Sequence, residues 1–246
     1  MRPDDGGVRP LVMSYLTLRK CVGGIGGLLP FVLLLGNELI GYGTEPSMSA
    51  YYYTPMRNIW IGALCSLGIF LIAYDGWDLS DKIITNIAGV STLGVALCPT
   101  TPLVGQVTTV EMTVGTFHLA FAAAAFLMLG LMSLRFATRT AMPPGLPLRN
   151  RIGYALGFTP PGDSTATAAE IAVYRASGFV ILVGVAIFYP MTKAGWDWLL
   201  VLEAVMLVSF GVAWFLKGTT LPGQPGQGPA PGASKQSGPA QVALPH

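Results

Sequence analysis

Charge is what this sequence has least of: only 11% of its 246 residues are Asp, Glu, Lys or Arg. A typical soluble domain carries roughly 25%, so this chain cannot clothe its surface with charge, and water is excluded as its main solvent. Cysteine is also scarce, and an odd count of three excludes a secreted disulfide scaffold. Only two histidines are present, and His246 is the last residue. That leaves too few ligands for a His/Cys zinc or iron site or a bis-histidine haem, so no metal and no cofactor is expected. A net charge of +2 lacks the dense basic face of a nucleic-acid partner. There is no Gly-x-Ser-x-Gly nucleophile elbow and no phosphate-cradling Gly-x-x-x-x-Gly-Lys-Ser/Thr run.

What the chain has instead is apolar side chain: 52% comes from AVILMFWYC, with 31 further glycines. A bilayer core about 30 Å thick needs roughly 20 mostly apolar helical residues, because every backbone N–H and C=O in hydrocarbon must be bonded within its own segment. Six stretches answer that description: about Val22–Gly41, Asn58–Tyr74, Ile83–Cys98, Met112–Leu134, Ile171–Pro190 and Trp196–Leu216. The sequence therefore predicts an all-α, six-helix transmembrane bundle over 22–217. A basic N-terminal segment, 1–21, precedes it, and a disordered Pro/Gly-rich tail, 218–246, follows. That tail holds six Gly and six Pro in 29 residues, which neither propagate a helix nor bury apolar surface. The first segment has no clean small-x-small cleavage site at Gly36-Asn37-Glu38-Leu39 and reads as a retained helix rather than a signal peptide.

Lys and Arg are retained on the cytoplasmic side. With six crossings, Arg2, Arg9, Arg19, Lys20, Lys82, Arg135, Arg139, Arg149, Arg151, Arg175, Lys217 and Lys235 fall on one side, against Arg57 and Lys193 on the other. The expectation is a multi-pass protein of a bacterial cytoplasmic membrane with both termini inside. The long fourth loop, Arg135 to Glu170, is broken by prolines; within it Leu148 to Phe158 has the mixture of an in-plane interfacial segment or of a plain basic connection. Tyr51, Tyr52, Tyr53, Trp60, Trp196 and Trp198 are expected as an outer interfacial belt. Close helix approach is expected at Gly23/Gly27, Gly62/Ser66 and Ala120/Ala124.

An ionisable side chain in hydrocarbon costs about 2.5–3.5 kcal/mol on insertion scales and faces the bundle interior with a partner. The ligand-binding candidates are Glu38, Arg57, Glu111, His118 and Glu203, all in the outer half, with Asn86 as a structural polar residue of an otherwise plain inner half. Arg57 or a protonated His118 is available to offset Glu38 or Glu203, and Glu111 and His118, seven apart, share one helix face. The plainer alternative is a set of interfacial groups that reach up to headgroups and water, with Glu203 satisfied by one neighbouring hydroxyl or kept protonated. Cys21, Cys65 and Cys98 lie at different depths and do not converge. Asp75, Asp78 and Asp81 read as a solvated turn, with Asp78 or Ser80 capping the third helix.

The run Ser47-Met48-Ser49-Ala50-Tyr51-Tyr52-Tyr53-Thr54-Pro55-Met56-Arg57-Asn58, with Tyr74-Asp75-Gly76-Trp77-Asp78, Asn86-Ile87-Ala88-Gly89 and Ala96-Leu97-Cys98-Pro99-Thr100, carries a family likeness. The chain resembles small bacterial multi-pass membrane proteins of unknown function, and in layout it is distantly similar to the six-helix DRAM/Sfk/Frag-type membrane proteins. His118 with Ala122 and Phe126 matches the His-led apolar helix of that bacterial group. The resemblance spans about Ser47 to Phe136. It implies a six-helix bundle and points to Arg57, Asn86 and His118, and it supplies no reaction.

The function expected from the residues is non-enzymatic binding of a lipid, small amphiphile or membrane partner through an outer-half polar pocket. Membrane lipids are the expected partners, with a membrane protein or a second copy of the chain as others. One alternative is a membrane-embedded, hydrolase-like enzyme using His118 with Glu111 or Glu203 as acid and base. The other is a small transporter, which needs a polar path through both halves.

Overall fold

A computed structural model describes residues 8–76, 78–141, 168–193 and 198–219. Leu148–Phe158, the tail beyond Thr219 and Trp196 lie outside them. The described residues form six α-helices and no strand: α1 Val8–Leu39, α2 Arg57–Ile72, α3 Leu79–Leu97, α4 Thr109–Ala141, α5 Ala168–Lys193 and α6 Leu199–Thr219. Each helix packs on the next in the chain, and α6 returns onto α1, so the six close a ring.

By length and composition four of them suffice to cross a membrane: Tyr15–Leu39, Thr109–Thr138, Ala168–Met191 and Leu199–Thr219. Of the six stretches the sequence reading takes as crossings, those in α2 and α3 are not among these four. At 1.5 Å per residue the 16 residues of α2 rise about 24 Å, short of the hydrocarbon core. α3 starts at Leu79 rather than near Ile83 and so takes Asp81 and Lys82 into its first turns.

Helix starts follow local chemistry. Asp78 caps α3, its Oδ1 accepting the Asp81 amide at 3.0 Å. Thr108 and Glu111 form a reciprocal capping box at the start of α4: Glu111 Oε2 accepts the Thr108 amide at 2.8 Å, and Thr108 Oγ1 accepts the Glu111 amide at 3.2 Å.

Among the three small-residue pairs, one closes a helix contact. A Cβ on Gly211 of α6 would lie 2.4 Å from the Gly27 backbone, and one on Gly23 would lie 2.3 Å from Phe215 N, so α1 and α6 meet backbone to backbone. Gly62 has nothing within 4 Å of such a Cβ, and Ser66 bonds back to the Gly62 carbonyl. Ala120 is exposed. These faces look away from the ring.

Contacts sort the connections to two ends of the bundle. At one end the Tyr15 hydroxyl donates to the Asp75 carbonyl, and Arg135 pairs with Asp78 and Asp81. Arg19 reaches both the Tyr74 hydroxyl and the Lys217 carbonyl there. At the opposite end the Leu200 amide donates to Pro46, and the Tyr53 hydroxyl to Thr100. Helix direction thus alternates around the ring, and the start of α1 and the end of α6 share the Arg135 end.

That end buries more charge than the sequence reading gave it, which was little beyond Asn86. Arg19 is only 1% exposed, with its guanidinium 4.4 Å from the Tyr15 ring centre and 2.9 Å from the Tyr74 hydroxyl. Lys217 is buried too, its ammonium 5.4 Å from the Tyr174 ring. Trp214 packs between Tyr74, Phe136 and Phe210. Arg19 falls on the interior stripe of α1 with Leu16, Val22, Leu29 and Leu33, so helix geometry carries it inward and aromatic faces take the charge. Asp81 is fully buried against Arg135, so the Asp75-Asp78-Asp81 stretch is not a solvated turn throughout.

Candidate functional site

At the other end the chain between α1 and α2 folds over the ring as a cap. Gly41 and Gly43 take positive φ of 81° and 74°, which a side chain would resist. The buried Asn37 holds that turn, its Nδ2 donating to the Gly43 carbonyl at 2.8 Å. A short 3-10 turn, Ser49–Tyr53, follows, tied by Ser47 and Thr54 hydroxyls. Met56 then seats on Gly36 of α1.

Beneath the cap lies a chamber of about 50 Å³. The cap supplies Met48 and Ser49, α2 supplies Trp60, Leu64 and Leu67, and α3 supplies Thr92 and Val95. α4 contributes His118, Ala122, Ala125, Phe126 and Leu129, and α6 contributes Glu203 and Leu207. His118 lies on the same buried stripe of α4 as Ala125, Leu129, Met132 and Phe136, and Glu203 on that of Met206, Phe210 and Ala213. Three- and four-residue steps put both polar groups on core-facing stripes.

The two make separate backbone bonds. Glu203 Oε2 accepts the Met48 amide at 2.6 Å, so the backbone of the cap, rather than a hydroxyl, satisfies it. His118 Nδ1 lies 2.6 Å from the Cys98 carbonyl, which only accepts. The proton therefore sits on Nδ1, and in the neutral ring Nε2 is a lone pair. Thr92 Oγ1 donates to the Ala88 carbonyl at 2.8 Å. Trp60 Nε1, in a side chain 4% exposed, has no hydrogen-bond partner.

Of the five candidate residues, the structure brings together His118 and Glu203. Glu38 is exposed at the end of α1. Arg57 is exposed and donates to the Tyr52 hydroxyl at 2.5 Å, its guanidinium 4.2 Å from that ring, instead of offsetting Glu38 or Glu203. Glu111 caps α4 instead of joining His118. Asn86 is half-buried on α3, with Oδ1 enclosed and unbonded. The expected aromatic belt divides: Tyr53 and Trp198 are exposed, whereas Tyr51 is fully buried and Trp60 lines the chamber. Burial pushes the Tyr51 and Tyr53 phenols above their ordinary range. Among the described residues no three His, Cys, Asp or Glu side chains gather as metal ligands would.

Tyrosine and tryptophan near a helix end suit an interface as well as a core, so residue type alone does not place Trp60. The signal that separates them is its step to Leu64, Leu67 and Leu71, the buried face of α2.

No family model matches this chain, and no curated protein and no solved structure matches it.

Proposed function

We propose that this chain is a multi-pass protein of a bacterial cytoplasmic membrane that holds the polar head of a small amphiphile in the chamber between His118 and Glu203, without catalysing a reaction. In this reading α2 and α3 cross with the four longer helices, and the Arg135 end faces the cytoplasm, as do both termini. The likeness of Ser47–Phe136 to small bacterial six-helix proteins belongs to the same reading.

The observation that carries it is the set of polar groups on one small chamber. A carboxylate, an imidazole and an indole N–H with no partner converge from α6, α4 and α2, with the Ser49 and Thr92 hydroxyls, in a wall whose other residues are apolar. A buried polar group without a partner costs about 1–3 kcal/mol, and a ligand that bonds it recovers that cost. One water needs about 10–15 Å³ and a benzene-sized guest about 150 Å³. A chamber of about 50 Å³ suits a small polar head and excludes an acyl chain.

The bonds favour binding over catalysis. His118 and Glu203 each engage a main-chain group rather than one another, so no acid–base pair is assembled. The transporter reading needs a polar path through both halves, and between the chamber and the buried Arg19 and Lys217 stand Phe210, Trp214 and Phe136, all fully buried.

Purification in a mild detergent followed by native mass spectrometry tests the proposal. A retained small amphiphile that Glu203→Ala loses is expected. Ligand-free protein at every detergent condition counts against it. Reporter fusions at the two ends test the orientation, and opposite locations would refute it.

A further inference from the structure

The chamber has a neighbour. A second cavity of about 40 Å³ lies among α4, α5 and α6, and Ala122, Phe126 and Glu203 belong to the walls of both. The rest of its wall is apolar, and two of its residues, Leu119 and Ala123, are exposed on the outside of the bundle. The hollow thus lies between exposed residues of α4 and Glu203.

Packing explains its position. Nearer the Arg135 end α4 and α5 meet closely: a Cβ on Gly130 would lie 2.9 Å from Leu182, and one on Gly178 would lie 2.6 Å from Leu134. Among the described residues no such glycine contact joins these helices beside the cavity. There α5 carries Pro190, which offers no N–H to the Ala186 carbonyl and crowds it. Phe188, on the cavity wall, stands on the turn that lacks this bond.

The chamber also states what it would hold. Its wall contains one carboxylate and no Lys or Arg. The Thr92 hydroxyl proton is spent on Ala88 and the His118 Nδ1 proton on Cys98, so each has a lone pair left to offer. The Ser49 hydroxyl is shared with that of Ser47 at 3.2 Å, so the wall offers mainly acceptors, and an ammonium brings three donors to meet them. Trp60 Nε1–H is the one unpartnered donor among the lining residues, and an oxygen on the same head would satisfy it.

We infer that an amphiphile with an amino-alcohol head reaches the chamber sideways from the hydrocarbon, between α4 and the far end of α5, with Phe126 as the gate between the two cavities. This rests on the chamber reading above and adds the head-group chemistry and the route.

The test uses the full chain in phosphatidylcholine vesicles with two probes: ethanolamine, which is the head alone, and aminododecanol, the same head on an alkyl tail. Tryptophan fluorescence reports occupancy, and Trp60→Phe should remove the response. Ala123→Phe, which narrows the outer mouth from an exposed position, should slow aminododecanol association about tenfold while ethanolamine binds as before. Phe126→Ala, which widens the gate, should speed it by a similar factor. Unchanged aminododecanol rates in both variants overturn the route and leave the chamber reading standing. Dodecanol binding as tightly as aminododecanol overturns the head-group assignment. If neither probe alters Trp60 in the unsubstituted protein, the chamber reading falls and the route with it.

Discussion

Glu203 of α6 accepts the Met48 amide at 2.6 Å, and through that bond the last helix of the chain holds the cap over a chamber built from four helices. A buried carboxylate inside a helix bundle is costly unless bonded. Here its bond is also a latch.

Glu203→Ala is expected to free the cap and to cost about 1.5–3 kcal/mol, the range for a hydrogen bond to a charged group. Hydrogen exchange of the amides of residues 46–49 reads the loosening directly. Glu203→Gln keeps an acceptor and should lose less. Equal protection in all three proteins would show that the latch is not what holds the cap.

Arg135→Ala removes the guanidinium that pairs with the fully buried Asp81 carboxylate. Removing one partner of a buried pair costs about 3–5 kcal/mol, and the partial exposure of Arg135 places this case at about 3 kcal/mol. The Asp81→Ala/Arg135→Ala double variant should recover part of that loss. Chemical unfolding in detergent measures all three.

Gly211→Ala sets a methyl group against the Gly27 backbone, which cannot step aside as a side chain can. Overpacking of this kind costs about 1–3 kcal/mol, and the expected value is the upper end. Gly62→Ala, with open space around it, should gain up to about 1 kcal/mol of helix propensity. Equal effects at the two glycines would mean that α1 and α6 are not in backbone contact.

Tyr74, just past the end of α2, is fully buried, and burial pushes its phenol far up while the Arg19 guanidinium pulls it part of the way down. The folded protein therefore favours the neutral phenol. That contribution is complete below the ordinary phenol value of about 10 and is lost progressively as pH rises beyond it, because the unfolded chain ionises first. Alkaline unfolding should steepen above about pH 10, and Tyr74→Phe should flatten most of the slope. A residual slope is expected from Tyr51 and Tyr53, which are shifted the same way.

Much of the candidate site was legible as residue type but not as partnership. His118 and Glu203 stood out because ionisable groups are rare in apolar helices, and their three- and four-residue steps already marked core-facing stripes. Arg19 and Lys217 stood out less, since basic residues near helix ends ordinarily signal orientation. The same stripe analysis places Arg19 beside Val22 and Lys217 beside Ala213, inside the ring. Glu111 carried a legible signal as well, the Thr-x-x-Glu capping box, which explains it without a ligand.

The amino-acid sequence by itself determined the apolar character of the chain, its all-helical class and the helical stripes that hold His118 and Glu203. These depend on composition and on helix periodicity, which act over a few residues. Tertiary structure alone decided that Glu203 would meet Met48, 155 residues away, that Trp60 would line a chamber rather than a membrane surface, and that Arg19 would lie among aromatic rings. The partner of a buried polar group is chosen by closure of the ring, when α6 packs on α1 and brings distant segments to one end. No local spacing encodes that closure.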